Sequence, residues 1–320
     1  MNFQGDQKPR ARVPAPHRQN PCAWRLLMLA LLLLGGFCSS AIAENSSAPV
    51  HGLWVWRTPA VLGAPHGAEK LQKFCRAQGI NEVYVSVSAK DGISRDHLGE
   101  EAHLADLIAR MHRSEIRVEA LLSSADADEV GKHREAFLAH VRAIVQFNER
   151  HPQSHFDGLH LDIEPQQRPE NKGPGNLKFL PGLVDAWLRV RALAEPAQLT
   201  VNADIQNKLL KGSLDDRKLL LLALPRLTLM LYELSSPNDG DSAEKKTEKL
   251  RRESEKFLDI AYQGLSDPKL ESHLAKISIG LRTPDYGELL PRMLQSLDEA
   301  HRANPHYLGW ARHSYNDAVK

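Results

Sequence analysis

Residues 157–165 read Asp157-Gly158-Leu159-His160-Leu161-Asp162-Ile163-Glu164-Pro165. Leu159, Leu161 and Ile163 alternate with His160, Asp162 and Glu164, the two-residue period of a β-strand whose successive side chains point to opposite faces. The aliphatic face must be buried, and crossover helices lying on a sheet would bury it. The other face then carries an imidazole and two carboxylates. Such groups are costly to place in an interior, and Glu164 stands at the C-terminal end of the strand, where barrel folds keep their active sites. This face is therefore read as functional.

Seven more runs of strand character accompany it, at 52–56 (GLWVW), 82–88 (EVYVSVS), 117–123 (RVEALLS), 199–203 (LTVNA), 227–231 (LTLML), 276–280 (KISIG) and 307–310 (YLGW). The intervals hold amphipathic helices. One covers 135–147 and gathers Phe137, Leu138, Val141, Ile144 and Val145 on one side; another follows Pro181-Gly182; a third covers 286–301, with Pro291 in its first turns. The mixed-sign run at 241–256 reads as a solvated helix face. Alternation of strand and helix leaves a closed (β/α)8 barrel or an open doubly wound sheet. No Gly-x-Gly-x-x-Gly loop follows the first strand, and polar residues recur at strand ends, so the expectation is an α/β fold, a single TIM-type barrel over residues 44–320. Only ten residues follow Trp310, so the last helix should be short or missing. The Pro-, Gly- and Asn-rich stretch 166–177 should form an excursion over the barrel mouth.

The 157–165 stretch resembles the D-x-x-D-x-D-x-E signature on strand four of family 18 glycoside hydrolases, the chitinases and related endo-N-acetylglucosaminidases. Asp157, Asp162 and Glu164 match it, and His160 stands where the family has its middle Asp. Met230-Leu231-Tyr232-Glu233 is similar to the family's M-x-Y-D on strand six, with Glu for Asp, and Trp310 falls where the family keeps a Trp beneath the reacting sugar. Strand four carries the specific part of this resemblance, and the His160 and Glu233 replacements mark a divergent member.

Cleavage of a glycosidic bond needs an acid to protonate the leaving oxygen and a group to stabilise the oxocarbenium-like state. Glu164 is the candidate acid. Asp162 lies about 7 Å back along the same strand face, close enough for its charge to help hold Glu164 protonated. The resemblance implies that the substrate's N-acetyl oxygen acts as the nucleophile, oriented by Asp162 and hydrogen-bonded by Tyr232. His160 would then replace the missing Asp by giving Asp162 a hydrogen bond. Asn202, Asp204 and Gln206 after strand five, Arg282 after strand seven, Trp310, and Trp54 and Trp56 on strand one complete the candidate substrate-binding set, with Glu233 facing Arg282 as a possible ion pair. No cofactor or metal is expected, and the partner is a polysaccharide or oligosaccharide. Two other readings use the same residues: a non-catalytic carbohydrate-binding barrel, and a metal-dependent hydrolase that would recruit His160, Asp162, Glu164 and Asp204, with His313 as the positional candidate for a second His.

Composition limits the remaining classes. Lys and Arg total 41 against 40 Asp and Glu, which removes the charge argument for nucleic acid binding. The most apolar segment, 26–37 (LLMLALLLLGGF), is shorter than the roughly 20 residues a spanning helix needs. It follows Arg10, Arg12, Arg18 and Arg25 and precedes Ala41-Ile42-Ala43, the order of a secretory signal. Residues 1–43 are thus expected to be a signal peptide, giving an exported, periplasmic or secreted protein with no stable membrane insertion after cleavage. An uncleaved anchor and a lipid anchor at Cys38 are the alternatives. The mature chain would keep 277 residues, the 320 less the first 43, with Cys75 as its one cysteine. Among Leu71 and Phe74, Cys75 reads as core.

Overall fold

A computed structural model of the chain describes residues 48–87, 101–173, 175–232 and 241–319. The expected signal segment, its cysteines Cys22 and Cys38, and Glu233 lie outside the described residues. Eight strands, β1 (Val50–Val55), β2 (Glu82–Ser86), β3 (Arg117–Ser124), β4 (Gly158–Ile163), β5 (Thr200–Gln206), β6 (Arg226–Met230), β7 (Lys276–Arg282) and β8 (Tyr307–His313), pair in sequence order and close into a barrel. Every pairing is parallel, β8 back onto β1 included. The fold is the α/β barrel expected. β5, β7 and β8 run two or three residues further toward the mouth than the apolar runs indicated, ending at Gln206, Arg282 and His313. Their last residues are polar because they rim the mouth rather than pack under helices.

The helices are α1 (Thr58–Gly63), α2 (Gly67–Ala77), α3 (Glu101–His112), α4 (Lys132–Arg150), α5 (Leu180–Ala194), α6 (Leu214–Ala223), α7 (Ala243–Tyr262), α8 (Pro268–Glu271), α9 (Thr283–Tyr286), α10 (Leu290–His301) and α11 (Tyr315–Ala318). The final helix is the short one expected. The span read as one helix over 286–301 is divided: α9 ends at Tyr286, Gly287 has a φ of 52°, and α10 starts at Leu290 with Pro291 in its first turn. No helix among the described residues is long and apolar enough to cross a membrane. Cys75 is buried in α2, and burial pushes its thiol up to about 12.

The outward faces of the strands and the inward faces of the helices form one apolar layer. Leu159, Leu161 and Ile163 are buried in it with Phe147 of α4 and Leu183 and Trp187 of α5, each such side chain contributing about 1.5–3 kcal/mol on burial. The barrel interior is different. Its lower part holds an ionic layer in which both Nη atoms of Arg226 donate to Glu82, at 2.6 and 3.0 Å, and Asn202 donates to Glu119 at 2.5 Å. Above it Trp54, Tyr84, Leu121 and Ala311 pack as a small inner cluster. Room for the aromatics comes from inward glycines. A Cβ on Gly52 would sit 2.3 Å from the Tyr84 hydroxyl, and one on Gly280 would sit 3.0 Å from the Trp54 indole.

Candidate functional site

β4 places His160, Asp162 and Glu164 at three successive heights along the interior, as its alternation requires. Glu164 follows the last strand residue. Its backbone N–H donates to the Ser124 carbonyl at 2.8 Å, and Pro165–Gln167 then form a single 3-10 turn that carries the chain off the barrel rim. The excursion over 166–177 is held down where Arg168 donates to both carboxylate oxygens of Asp128, each at 2.8 Å, so the loops after β3 and β4 are fastened together.

The Glu164 carboxyl lines a mouth cavity of about 720 Å³, together with Trp56, Ser123, Asp126, His133, Asp162 and His313. Its Oε1 accepts from Gln206 Nε2 at 2.8 Å and from Gln166 Nε2 at 3.1 Å, and its Oε2 accepts from Gln167 Nε2. Burial raises the pKa of Glu164 above the usual carboxylate range. The amide of Gln206 opposes that rise, and the negative charge of Asp204 adds to it. Burial is thus the main cause of the rise, and the charge of Asp204 on β5 adds to it from the neighbouring strand.

Asp162 is buried at 8 % exposure and lines the cavity beside Glu164. Tyr232, just past β6, is half-buried; burial and the carboxylates of Asp204, Asp162 and Glu164 push its hydroxyl well up, so it keeps its proton and can donate. Its ring stands 5.3 Å from that of His313, which in turn accepts from Trp56 Nε1 at 2.8 Å. Arg282 is exposed at the end of β7, and its charge acts on Tyr232.

His160 does not support Asp162. Its ring lies 3.7 Å from that of Tyr84, nearly parallel, with Nε2 2.8 Å from Asp204 Oδ1 and Nδ1 3.2 Å from Glu119 Oε2. Both nitrogens are therefore turned to carboxylates on the flanking strands, one layer below Asp162. Burial disfavours the imidazolium, but the charges and hydrogen bonds of Asp204 and Glu119 outweigh it and lift the pKa to about 10. A cation held between two anions and stacked on a phenol ring is also poorly suited to ligate a metal. No group of three or more His, Cys, Asp or Glu arranged to hold a metal ion occurs among the described residues.

The remaining candidates separate by depth. Gln206 reaches Glu164. Asp204 sits in the middle of the barrel, accepting from Trp54 Nε1 at 3.1 Å and facing His160. Trp54 is fully buried there, as interior packing. Asn202 is deeper still, on Glu119. Trp310 faces the other way: it stacks on His51 at 4.1 Å and donates to Asp298 of α10, in the helix layer. The reason is register, since Gly309, Ala311 and His313 take the inward positions of β8. Asp157, the first acid of the signature, is at the opposite end of the barrel, accepting from the Val118 N–H at 2.7 Å and pairing with His112 at 2.9 Å. Residue reading missed Gln166 and Gln167, which carry no charge and lie in a loop. It also missed Glu119, which the alternation of β3 could have placed inside.

No protein-family model matches the sequence, and neither does any curated protein. The fold is similar to the PgaB (BpsB) glycoside hydrolase domain from Bordetella bronchiseptica, at 13% identity over 85% of this chain and 96% of that one, with a TM-score of 0.50. It is also similar to the spore cortex-lytic enzyme SleL from Bacillus megaterium QM B1551, at 12% identity over 83% of this chain and 70% of that one, with a TM-score of 0.52. These likenesses show the barrel fold.

Proposed function

We propose that the chain is an exported glycoside hydrolase of the family 18 type, acting on an N-acetylhexosamine-containing glycan with Glu164 as the general acid. The observation that carries this reading is the Glu164 carboxyl itself: it lines the mouth cavity, amides fix its orientation, and burial raises its pKa, the direction a proton donor needs. Asp162 stands beside it to orient the substrate's acetamide, and Tyr232 supplies a hydroxyl that donates to the acetamide oxygen. That oxygen attacks the anomeric carbon as the glycosidic bond breaks, while Glu164 gives its proton to the leaving oxygen. The cavity walls carry Asp126, Asp162 and Glu164 and no Lys or Arg, which suits an uncharged sugar better than an anionic one. Among the structural neighbours are a glycoside hydrolase domain and a spore cortex-lytic enzyme, which supports the same class of reaction on this barrel.

The test is turnover of N-acetylglucosamine oligosaccharides by the parent protein and by Glu164→Gln. The variant keeps the shape and loses the proton, so hydrolysis should drop by about 10²–10⁴-fold while oligosaccharide binding persists. Equal turnover in the two proteins excludes Glu164 as the acid, and binding without turnover in the parent identifies a carbohydrate-binding barrel instead.

A further inference from the structure

The two oxygens of Glu164 have unequal surroundings. Oε1 receives two N–H donors, from Gln206 at 2.8 Å and from Gln166 at 3.1 Å. Gln206 is the last residue of β5, so the sheet fixes it, and Gln166 is buried in the first turn after the strand. Oε2 has a single amide, that of Gln167, which is exposed and lines the cavity. An amide N–H donates and does not accept. When the carboxyl group is neutral, one oxygen is a carbonyl acceptor and the other carries the proton; two donors on Oε1 against one on Oε2 make Oε1 the better-satisfied acceptor and favour the proton on Oε2.

We infer that Gln206 and Gln166 are positioning residues that confine the carboxyl proton of Glu164 to Oε2, the oxygen on the cavity side, with Gln167 covering it until a ligand takes its place. This rests on the reading of Glu164 as the acid and adds to it which oxygen delivers the proton and what holds it there. In the transfer, the Oε2–H bond breaks and the proton joins the glycosidic oxygen. The carbon–oxygen bond to the anomeric carbon cleaves with its electron pair staying on that oxygen, and the acetamide oxygen closes on the anomeric carbon. Glu164 is left as a carboxylate, to which all three amides can donate. Arg168 serves the arrangement from outside, since its grip on Asp128 fastens the loop that begins with Gln166 and Gln167.

The experiment uses the full chain and Gln206→Met, which keeps side-chain length and removes the donor. Two quantities are read: kcat against pH, and the carboxyl titration of Glu164 by infrared difference spectroscopy, assigned by its loss in Glu164→Gln. With one donor to the ionised form gone, the carboxyl should titrate at higher pH and the alkaline limb of kcat should move up with it. The plateau of kcat should fall roughly tenfold, part of the 10²–10⁴ that a general acid supplies, with KM little changed. A residue that merely packs would leave the titration in place, so an unmoved titration together with kcat within about twofold of the parent overturns the inference. Should Gln206→Met not fold, Gln166→Met removes the other donor from the same oxygen, and its titration decides in the same way. Turnover retained in Glu164→Gln would defeat the acid assignment itself. Turnover lost there but an unmoved titration in the Gln variants would defeat only the positioning.

Discussion

His160 Nε2 lies 2.8 Å from Asp204 Oδ1 inside the barrel, with the second oxygen of that carboxylate held by the indole N–H of Trp54 at 3.1 Å. Asp204 is in turn the anion that acts on both Glu164 and Tyr232. A chain of charges therefore runs from Glu119 through His160 and Asp204 to the proton-bearing groups of the mouth. His160 is the cation in the middle of it.

That cation makes stability depend on pH in one direction. His160 holds its proton in the folded chain up to about 10, and in the unfolded chain only up to about 6.5. Above the lower value the unfolded state has given up a proton that the folded state keeps, so stability falls as pH rises. The contribution is complete below about pH 6.5 and gone above about pH 10. Denaturant midpoints measured across that window should decline, and His160→Gln should flatten the decline. A parent midpoint that holds constant from pH 7 to pH 10 would count against the imidazolium.

Arg226 offers a second test of the polar interior. Its guanidinium is bidentate on Glu82 and lies 3.6 Å from Glu119, all three buried. Arg226→Met leaves two carboxylates inside the barrel without their main countercharge, and removing one partner of a buried pair costs about 3–5 kcal/mol. Urea unfolding at neutral pH should show a loss of that size. A loss below about 1 kcal/mol would mean that water reaches this layer.

The barrel was legible because each of its eight strands carries an apolar run, and the set of inward residues on β4 followed from alternation alone. What alternation could not supply was depth. His160, Asp162 and Glu164 share a face, yet hydrogen bonds in a tilted barrel run sideways to β3 and β5, so His160 meets Glu119 and Asp204 instead of its own strand neighbour. Trp310 differed in face and not in depth: Gly309, Ala311 and His313 take the inward positions of β8, so its indole turns to the helix layer. The glutamines around Glu164 were invisible because a neutral amide in a loop acquires meaning only from the carboxyl it touches.

Asp157 belongs to the signature by spelling and to the scaffold by position. It fixes the start of β4 by accepting the Val118 N–H and pairing with His112, and burial, which would raise its pKa, is outweighed by those hydrogen bonds and the charges of His112 and Arg117. Asp157→Ala leaves a backbone donor unmet, at about 1–3 kcal/mol. Stability should drop by that amount while kcat on the folded fraction stays within a few-fold. A loss of turnover comparable to that of Glu164→Gln, in a protein that melts normally, would give Asp157 a role at the mouth that its location does not explain.

Trp56, just past the end of β1, and Trp310 of β8 make opposite predictions from their exposure. Trp56 is half-buried on the cavity wall and fixed there by its bond to His313, which leaves part of an indole surface available for an apolar sugar face. Trp310 is 4 % exposed and lies under α10, bound to Asp298 and stacked on His51. Trp56→Ala should weaken oligosaccharide binding by roughly tenfold, since a stacked aromatic contributes about 0.5–1.5 kcal/mol beyond its area burial, and should change the melting temperature little. Trp310→Phe should do the reverse: it removes the donor to Asp298, lowers stability by about 1 kcal/mol, and leaves KM as it was. Titration calorimetry with a chito-oligosaccharide, run beside thermal melts of both variants, separates the outcomes. Weakened binding in Trp310→Phe with no change for Trp56→Ala would place the sugar against β8 and reverse the assignment of the two residues.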